Sequence, residues 1–426
     1  MRFPADLKMT VAQVSKKISS FAPMKVRLLI ILSFLFVALR VGAEQSADTA
    51  ARPVPVISLI TAEPGPEVFE LYGHQGIRVK LPQYGVDLTY NFGVFDYASP
   101  NFVYRFVKGE TDYYAMPFPT FDFLRSYEER GSRVVEQVLD LKPDEAREMA
   151  LLLDETTTRE NCMYRYKYCT NNCATRVLDI LEASLSSAPT YADASPELTT
   201  YRQVMRRYDS KYPWYVLGVD VALGGAMDTV IGVREKMFVP MELMHSVADA
   251  RLADGRQLVK QTNILIEGRG DVTRDATPWM LTPLFWAGIV LLSSVWFCIR
   301  AFRRGINRMR WLPTMWWMLV GVAGMISWFL IFVSEHEGTS PNLLGLWLNP
   351  LWLILAVMAL IKRLDKITCY ALVLTTVVAV AMIVAWILLP HAINLPLLLS
   401  CIATIMFAVG FIVGTRAVSL KKLAKK

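Results

Sequence analysis

The sequence predicts an α+β extracytoplasmic domain followed by an all-α bundle of five transmembrane helices. Three observations carry this. Five apolar runs, each free of charged residues and long enough to cross a bilayer, crowd the last third of the chain. A long middle stretch interleaves Tyr and Phe with charges, as a water-exposed domain does, and within it short β-type runs precede helical ones. At 426 residues, 54% hydrophobic and mean hydropathy +0.33, the chain is too apolar for a single soluble domain and too polar in its middle for a purely membrane-embedded one. Much of the formal net charge of +7 sits in the N-terminal leader and in clusters beside apolar runs, which suits membrane topology and argues against a nucleic-acid partner.

The elements follow in order. Residues 1–43 read as a leader: Lys25 and Arg27 precede the apolar run 28–39, and Val41-Gly42-Ala43 offers the small residues a signal peptidase reads. Arg40 beside that position leaves an uncleaved anchor as the alternative, and no cysteine follows to make the chain itself a lipoprotein. Residues 44–275 form the extracytoplasmic domain, with strands expected at 54–60, 76–81 and 86–94. Pro143, Asp144 and Glu145 make a favourable first turn for a helix through Met149 and Leu153. Asn172 is placed to cap a second helix, whose stripe Ala174, Val177, Leu178, Leu181 and Leu185 buries one face. Residues 276–426 form the transmembrane domain, with spans at 279–299, 311–333, 343–361, 367–389 and 397–415. Loops 300–310 and 362–366 and the tail 416–426 are basic, whereas 334–342 and 390–396 carry no Lys or Arg, so the basic loops face the cytoplasm and the domain at 44–275 lies outside.

The chemistry concentrates in Gly73-His74-Gln75-Gly76 and Asn171-Asn172-Cys173-Ala174. A thiol of ordinary pKa, about 8.5, is only a few per cent ionised at neutral pH, but a helix N-terminus favours the anion and an imidazole can take the proton. Cys173 opens a helix and His74 lies in a strand between glycines. Alone, Cys173 reads equally as a structural residue and a strand histidine such as His74 is more often structural; together they suggest a thiol nucleophile and its base. Asn91 or Asp96, on or after the next strand, is the candidate third member that orients the ring.

Tyr72-Gly73-His74-Gln75-Gly76-Ile77-Arg78, Asn91-Phe92-Gly93-Val94-Phe95-Asp96 and Tyr166-Lys167-Tyr168 ahead of Asn171-Asn172-Cys173-Ala174-Thr175-Arg176 together resemble the periplasmic domain of the Lnb-type lipoprotein N-acyltransferases. The likeness continues through Leu223-Gly224-Gly225-Ala226-Met227-Asp228 and Met237-Phe238-Val239-Pro240 into Ser334-Glu335-His336 and Asn349-Pro350-Leu351. It implies a papain-like, circularly permuted NlpC-like fold, in which the histidine precedes the cysteine as it does here. It also implies an enzyme of the bacterial inner membrane, with its catalytic domain in the periplasm, acting as an acyltransferase without a cofactor. Its partners would be the membrane, a phospholipid acyl donor and diacylated lipoproteins as acceptors. In that chemistry Cys173 is the nucleophile and His74 the base, with the amides at the helix start contributing to an oxyanion hole.

Other residues have weaker cases. His336, Arg133 and Tyr168 are the substrate-binding candidates, and Lys108 and Arg176 are further basic groups able to attract phosphate. His336 and His391 fall in outer loops, and His245 has no evident partner. Cys162 and Cys169 are candidates for a local disulfide in an oxidising compartment, while Cys298, Cys369 and Cys401 read as apolar fillers of the spans. No cysteine–histidine spacing matches a zinc motif, and no phosphate-binding glycine loop is present. The competing readings are a membrane-anchored cysteine peptidase or amidase acting on cell-wall peptides, and a non-enzymatic envelope scaffold. Five spans exceed what a tether needs, which favours a lipid substrate.

Overall fold

The computed structural model describes residues 53–192, 198–273, 275–306, 309–389 and 394–423. The leader expected at 1–43 and His391 lie outside them. Pro55–Lys426 forms one compact unit.

Seven strands make one antiparallel sheet. They are β1 (Val56–Ala62), β2 (His74–Leu81), β3 (Val86–Val94), β4 (Asp112–Pro119), β5 (Val134–Leu139), β6 (Met163–Arg165) and β7 (Val259–Ile266), in the order β6-β4-β3-β2-β1-β5-β7. The helices of this region are α1 (Phe102–Lys108), α2 (Thr120–Arg130), α3 (Pro143–Thr156), α4 (Cys173–Ser184), α5 (Tyr201–Asp209), α6 (Pro213–Ala222) and α7 (Pro240–Ala248). Strand alternation divides the core in two. Ile57 and Leu59 of β1 join Ile77, Val79, Tyr90 and Phe92 beneath α3, α4 and α7, while Ile60 and Ala62 face Phe123 and Tyr127 of α2. The expected strand at 86–94 is β3 itself, β2 starts two residues earlier than expected, at His74, and β1 is shifted two residues along the chain, from the expected 54–60 to Val56–Ala62.

Helix α3 begins as its first turn predicts: Pro143 needs no N–H partner there, and Glu145 accepts a hydrogen bond from the Lys142 N–H at 2.9 Å. Its Ala146, Met149 and Leu153 face α4 and the sheet. On α4 the stripe Ala174, Val177, Leu178 and Leu181 is fully buried.

The C-terminal part is a helix bundle: α8 (Pro283–Arg304), α9 (Trp311–Phe332), α10 (Leu351–Leu360), α11 (Asp365–Leu388) and α12 (Leu395–Leu423). Among the described residues, five helical segments are long and apolar enough to cross a membrane. The run 343–361, expected as one span, is broken: a 3-10 turn at Leu343–Leu346 leads through Asn349-Pro350 into α10. Pro350 has no N–H to continue a helix, and Asn349 bridges the break by donating to the Leu346 carbonyl at 2.9 Å and accepting from the Leu351 N–H at 3.1 Å. Helix α9 accommodates this break with Gly324, where a Cβ would lie 2.4 Å from the Asn349 backbone. On the basic, cytoplasmic side Arg310 grips Asp365 with two bonds of 2.5 and 2.6 Å.

The sheet domain meets the bundle at every described junction on the opposite, non-basic side. Trp214 of α6 donates to the Leu281 carbonyl just before α8, and Asn394 before α12 donates to buried Asp220 at 2.6 Å. Between α9 and α10, the Glu335 N–H reaches the Lys108 carbonyl at 2.7 Å, Asn342 donates to the Val221 carbonyl, and the Gly224 and Gly225 N–H groups reach the Gly338 and Pro341 carbonyls. The topology inferred from loop charge and the contacts of the fold therefore agree on which side the domain lies.

Candidate active site

Helix α4 starts abruptly because Asn172 caps it. Its Oδ1 accepts from the Ala174 and Thr175 N–H groups at 2.9 and 3.0 Å, and its Nδ2 donates to the Tyr168 and Phe238 carbonyls, both at 2.8 Å. Cys173, the first helical residue, is thereby fixed against the sheet with 7% of its surface exposed. Above it lies Gly93, at a register shift in β3, whose φ of +93 disfavours any side chain; a Cβ there would sit in ordinary contact, 4.0 Å from the Cys173 Cβ and 3.8 Å from the Tyr166 ring.

His74 opens β2 and is partly buried. Gly76 on β2 pairs with Asn91 on β3, so Asn91 is a diagonal neighbour of His74, and its Oδ1 meets His74 Nε2 at 2.6 Å. The other ring nitrogen is left for the thiol. The ring lies parallel to Tyr127 at 6.4 Å, and the Arg130 guanidinium covers that tyrosine at 4.7 Å. Arg176 caps Tyr164 in the same way at 4.5 Å.

Electrostatics join the pair. Burial pushes the Cys173 thiol up, but the His74 charge, a hydrogen bond from His74 and the Gln75 and Ala174 amides outweigh it and hold the thiol below its ordinary range. Burial pushes His74 down, while the Cys173 thiolate and the bond to Asn91 carry it above its ordinary value. The arrangement favours a thiolate beside an imidazolium. By contrast, burial and the Glu337 charge push the Cys169 thiol far up.

The structure thus brings Cys173, His74 and Asn91 together. Asp96, the alternative third member, is occupied in a turn, accepting from the Ala98 N–H at 2.8 Å. The three substrate-binding candidates have other partners. Arg133 pairs with Glu63 at 3.0 Å beside a cavity of about 480 Å³ that Arg207 and Lys211 also line. It lies at the same end of the sheet as His74 but beyond β1, since Ala62 pairs with both His74 and Val134. Tyr168 shares a hydrogen bond with Tyr215 at 3.3 Å and packs edge-on against Tyr72 in a separate cluster, as a structural residue does. His336 donates to the Phe106 carbonyl at 2.5 Å and helps dock the α9–α10 loop on α1. Lys108 pairs with Glu110.

Two further readings change. Cys162 and Cys169 are free thiols with different neighbours, the Arg159 carbonyl for the first and Met227 for the second. At the helix start, with amides expected to contribute to an oxyanion hole, the Ala174 N–H is shared between the Asn172 cap and the Cys173 sulfur, and the Thr175 N–H is engaged by Asn172. Sequence reasoning passed over Gln75. Its main-chain N–H is directed at the Cys173 sulfur, and its side chain, anchored through Oε1 by Thr61 at 2.9 Å, leaves a buried Nε2 without a partner. The signal was its place between His74 and Gly76, which the glycines overshadowed. Among the described residues no group of three or more His, Cys, Asp and Glu gathers as a metal site would.

Comparison with protein families gives two matches. The Lnb N-terminal periplasmic domain matches residues 45–207, and the Lnb transmembrane domain matches residues 275–416. Among curated proteins and among solved structures nothing matches. With both domains of one family present in the order and architecture seen here, the chain belongs to the Lnb family, as a multi-pass membrane protein whose N-terminal domain is periplasmic.

Proposed function

We propose that the protein is a lipoprotein N-acyltransferase that works through a Cys173 thioester. The Cys173 thiolate attacks the carbonyl carbon of a phospholipid acyl ester. As the C–S bond forms and the ester C–O bond breaks, the His74 imidazolium protonates the departing glycerol oxygen, and a lysophospholipid leaves. The α-amine of a diacylated lipoprotein's N-terminal cysteine then attacks the thioester. His74 takes the amine proton, the amide forms and the thiolate is restored. Asn91 keeps Nε2 engaged so that the other ring nitrogen faces the sulfur. Gln75 supplies donors for the oxyanion, through its main-chain N–H beside the sulfur and its unpartnered amide.

The observation that carries this reading is the lowered thiol beside a raised imidazole in a periplasmic domain anchored to the Lnb bundle. A peptidase would use the same pair but has no need of five spans. The test is intact-mass analysis after mixing the purified protein with phospholipid vesicles, alongside Cys173→Ala. A hydroxylamine-labile acyl adduct on the wild type alone, passed on to a diacylated lipopeptide, is the expected result. Absence of the adduct from reduced protein that retains its fold refutes the thioester route, and release of peptide from cell-wall fragments favours the peptidase.

A further inference from the structure

Helix α1 is seven residues long and five of them are apolar: Phe102, Val103, Tyr104, Phe106 and Val107. Val103, Tyr104 and Phe106 are exposed, Val103 to 73%, an arrangement that costs solubility unless something apolar covers it. The helix stands at the membrane side of the domain. Tyr104 packs at 6.2 Å on Phe329, three residues before the outer end of α9, and His336 of the following loop packs edge-on against Phe106.

From this helix a continuous file of rings runs inward. Phe106 contacts Phe102 at 6.2 Å, Phe102 contacts Phe95 at 5.8 Å, Phe95 contacts Tyr113 at 5.1 Å and Tyr113 stacks on Tyr166 at 4.3 Å. The Tyr166 ring ends the file, bordering the Cβ-less face of Gly93 that covers Cys173. Phe106 is exposed, Phe102 and Phe95 are partly buried, Tyr113 is buried, and Tyr166 at the inner end is partly buried again.

We propose that this file is the track on which the acyl chain of a membrane phospholipid lies while its ester reaches Cys173, with α1 dipping its exposed face into the outer leaflet. The proposal rests on the acyl-transfer reading above and adds to it where the donor enters and which residues hold it. The ligand chemistry follows from the lining. The rings offer a long apolar contact that an extended hydrocarbon chain fits and a cell-wall peptide, with its polar backbone, does not. The neighbouring cations are neutralised: Arg105 pairs with Asp112, Lys108 with Glu110, and Arg165 with Asp112 and Glu335.

The test compares two donors on the full-length protein in nanodiscs: long-chain phosphatidylethanolamine in the disc, and a water-soluble acetyl ester, each read as the rate of Cys173 acylation by intact mass. The variants are Val103→Asp at the exposed entry, Phe95→Ala in the middle of the track, and Leu151→Asp, an exposed apolar residue on α3, as the control. The expected result is that the long-chain to acetyl rate ratio falls by about tenfold or more in Val103→Asp and in Phe95→Ala and stays at the wild-type value in Leu151→Asp. An unchanged ratio in Val103→Asp overturns the proposal, since that side chain points away from the core and its loss does not endanger folding. A fall shared equally by both donors in Phe95→Ala assigns that ring to structure and overturns its place in the track. If the wild type takes acetyl from the ester but nothing from phospholipid, the acyl-transfer reading fails first, and that outcome is separate from one in which the wild type accepts phospholipid and the variants match it.

Discussion

Replacing His74 by Ala isolates what the imidazole does to the thiol, because the protein contains its own reference. Cys169 and Cys173 are almost equally buried, at 5% and 7% exposure, and lie four residues apart. Burial pushes both thiols up; only Cys173 has the His74 charge, its hydrogen bond and two main-chain amides to bring it down. His74→Ala removes the charge and the ring's hydrogen bond and leaves the burial and the amides, so Cys173 moves toward the behaviour of Cys169. Each pKa unit of that rise cuts the thiolate about tenfold below the pKa, while the more basic thiolate that remains gains about threefold in nucleophilicity, for a net loss of about threefold per unit. The assay is site-resolved alkylation by mass spectrometry across pH, with ultraviolet thiolate absorbance as a readout that does not depend on reagent access. In the wild type, Cys173 should react at pH 6 and Cys169 should not. In His74→Ala the Cys173 rate at pH 6 should fall about tenfold or more and climb with pH through the ordinary thiol range. Continued inertness of Cys169 certifies the fold. Wild-type Cys173 reacting no faster than Cys162, or unchanged reactivity in His74→Ala, refutes the ion-pair argument.

Asn91→Ala leaves the His74 Nε2 donor without its 2.6 Å acceptor, and phospholipid-dependent acylation of Cys173 should slow by about 10- to 100-fold. Asn91→Asp keeps an acceptor, raises the imidazole pKa through the added carboxylate, and should recover part of the rate while moving the basic limb of its pH profile upward. Burial pushes the Asp209 carboxyl up to about 7, with a hydrogen bond from Tyr72 opposing and the Asp220 charge adding to it. Since the folded value lies above the unfolded one of about 3.9, its contribution to stability is full below pH 4 and is lost as pH rises to about 7. Asp209→Asn escapes that loss, so the variant's advantage in thermal unfolding should grow from pH 4 to 7 and then level off; an advantage independent of pH refutes the assignment. Gly224→Ala would drive a Cβ to 2.1 Å from the Pro341 carbonyl and should lower stability by about 1–3 kcal/mol, with faster hydrogen exchange across 334–342.

How much was legible in the sequence depends on whether the signal was local. The cap at Asn172, the α4 stripe and the first turn of α3 each follow from a few adjacent residues, and each stands where the pattern puts it. The approach of His74 to Asn91 required a strand register, which the spacing of two glycines and one asparagine suggests but does not determine. The break at Asn349-Pro350 lay inside an uninterrupted apolar run, where hydropathy alone sees one span and only the proline argues otherwise. The turn before α4 carries the Tyr168 ring into the Tyr72 and Tyr215 cluster, a placement that no local pattern around residue 168 reveals. The ring file from α1 to Gly93 was illegible for a different reason: its members come from four segments, and nothing in any one of them marks an end.

The junction between domain and bundle bears on which substrate the thiol meets. The segment just before α4 is held by the α9–α10 loop at successive points: Arg165 reaches Glu335 at 3.4 Å, Lys167 reaches Glu337 at 3.7 Å, and Thr170 donates to Glu337. Gly109 lets the same loop come close, since a Cβ there would meet the His336 N at 2.8 Å. Thr170 is three residues from Cys173, and three extended residues span about 10 Å at most. The sulfur is therefore tied within a short chain length of a loop that starts just beyond the outer end of α9, where the membrane interface lies. Under the proposed acyl transfer, phospholipid esters and the cysteine of a diacylated lipoprotein are confined to that same interface, so a thiol held there would meet both without either leaving the bilayer. Cell-wall peptide, distributed through the periplasm, would gain nothing from such tethering, and a hydrolase for it would be better served by a mobile domain on one span. Loosening the junction without touching the pair should therefore slow transfer between membrane-bound partners far more than acylation by a soluble ester.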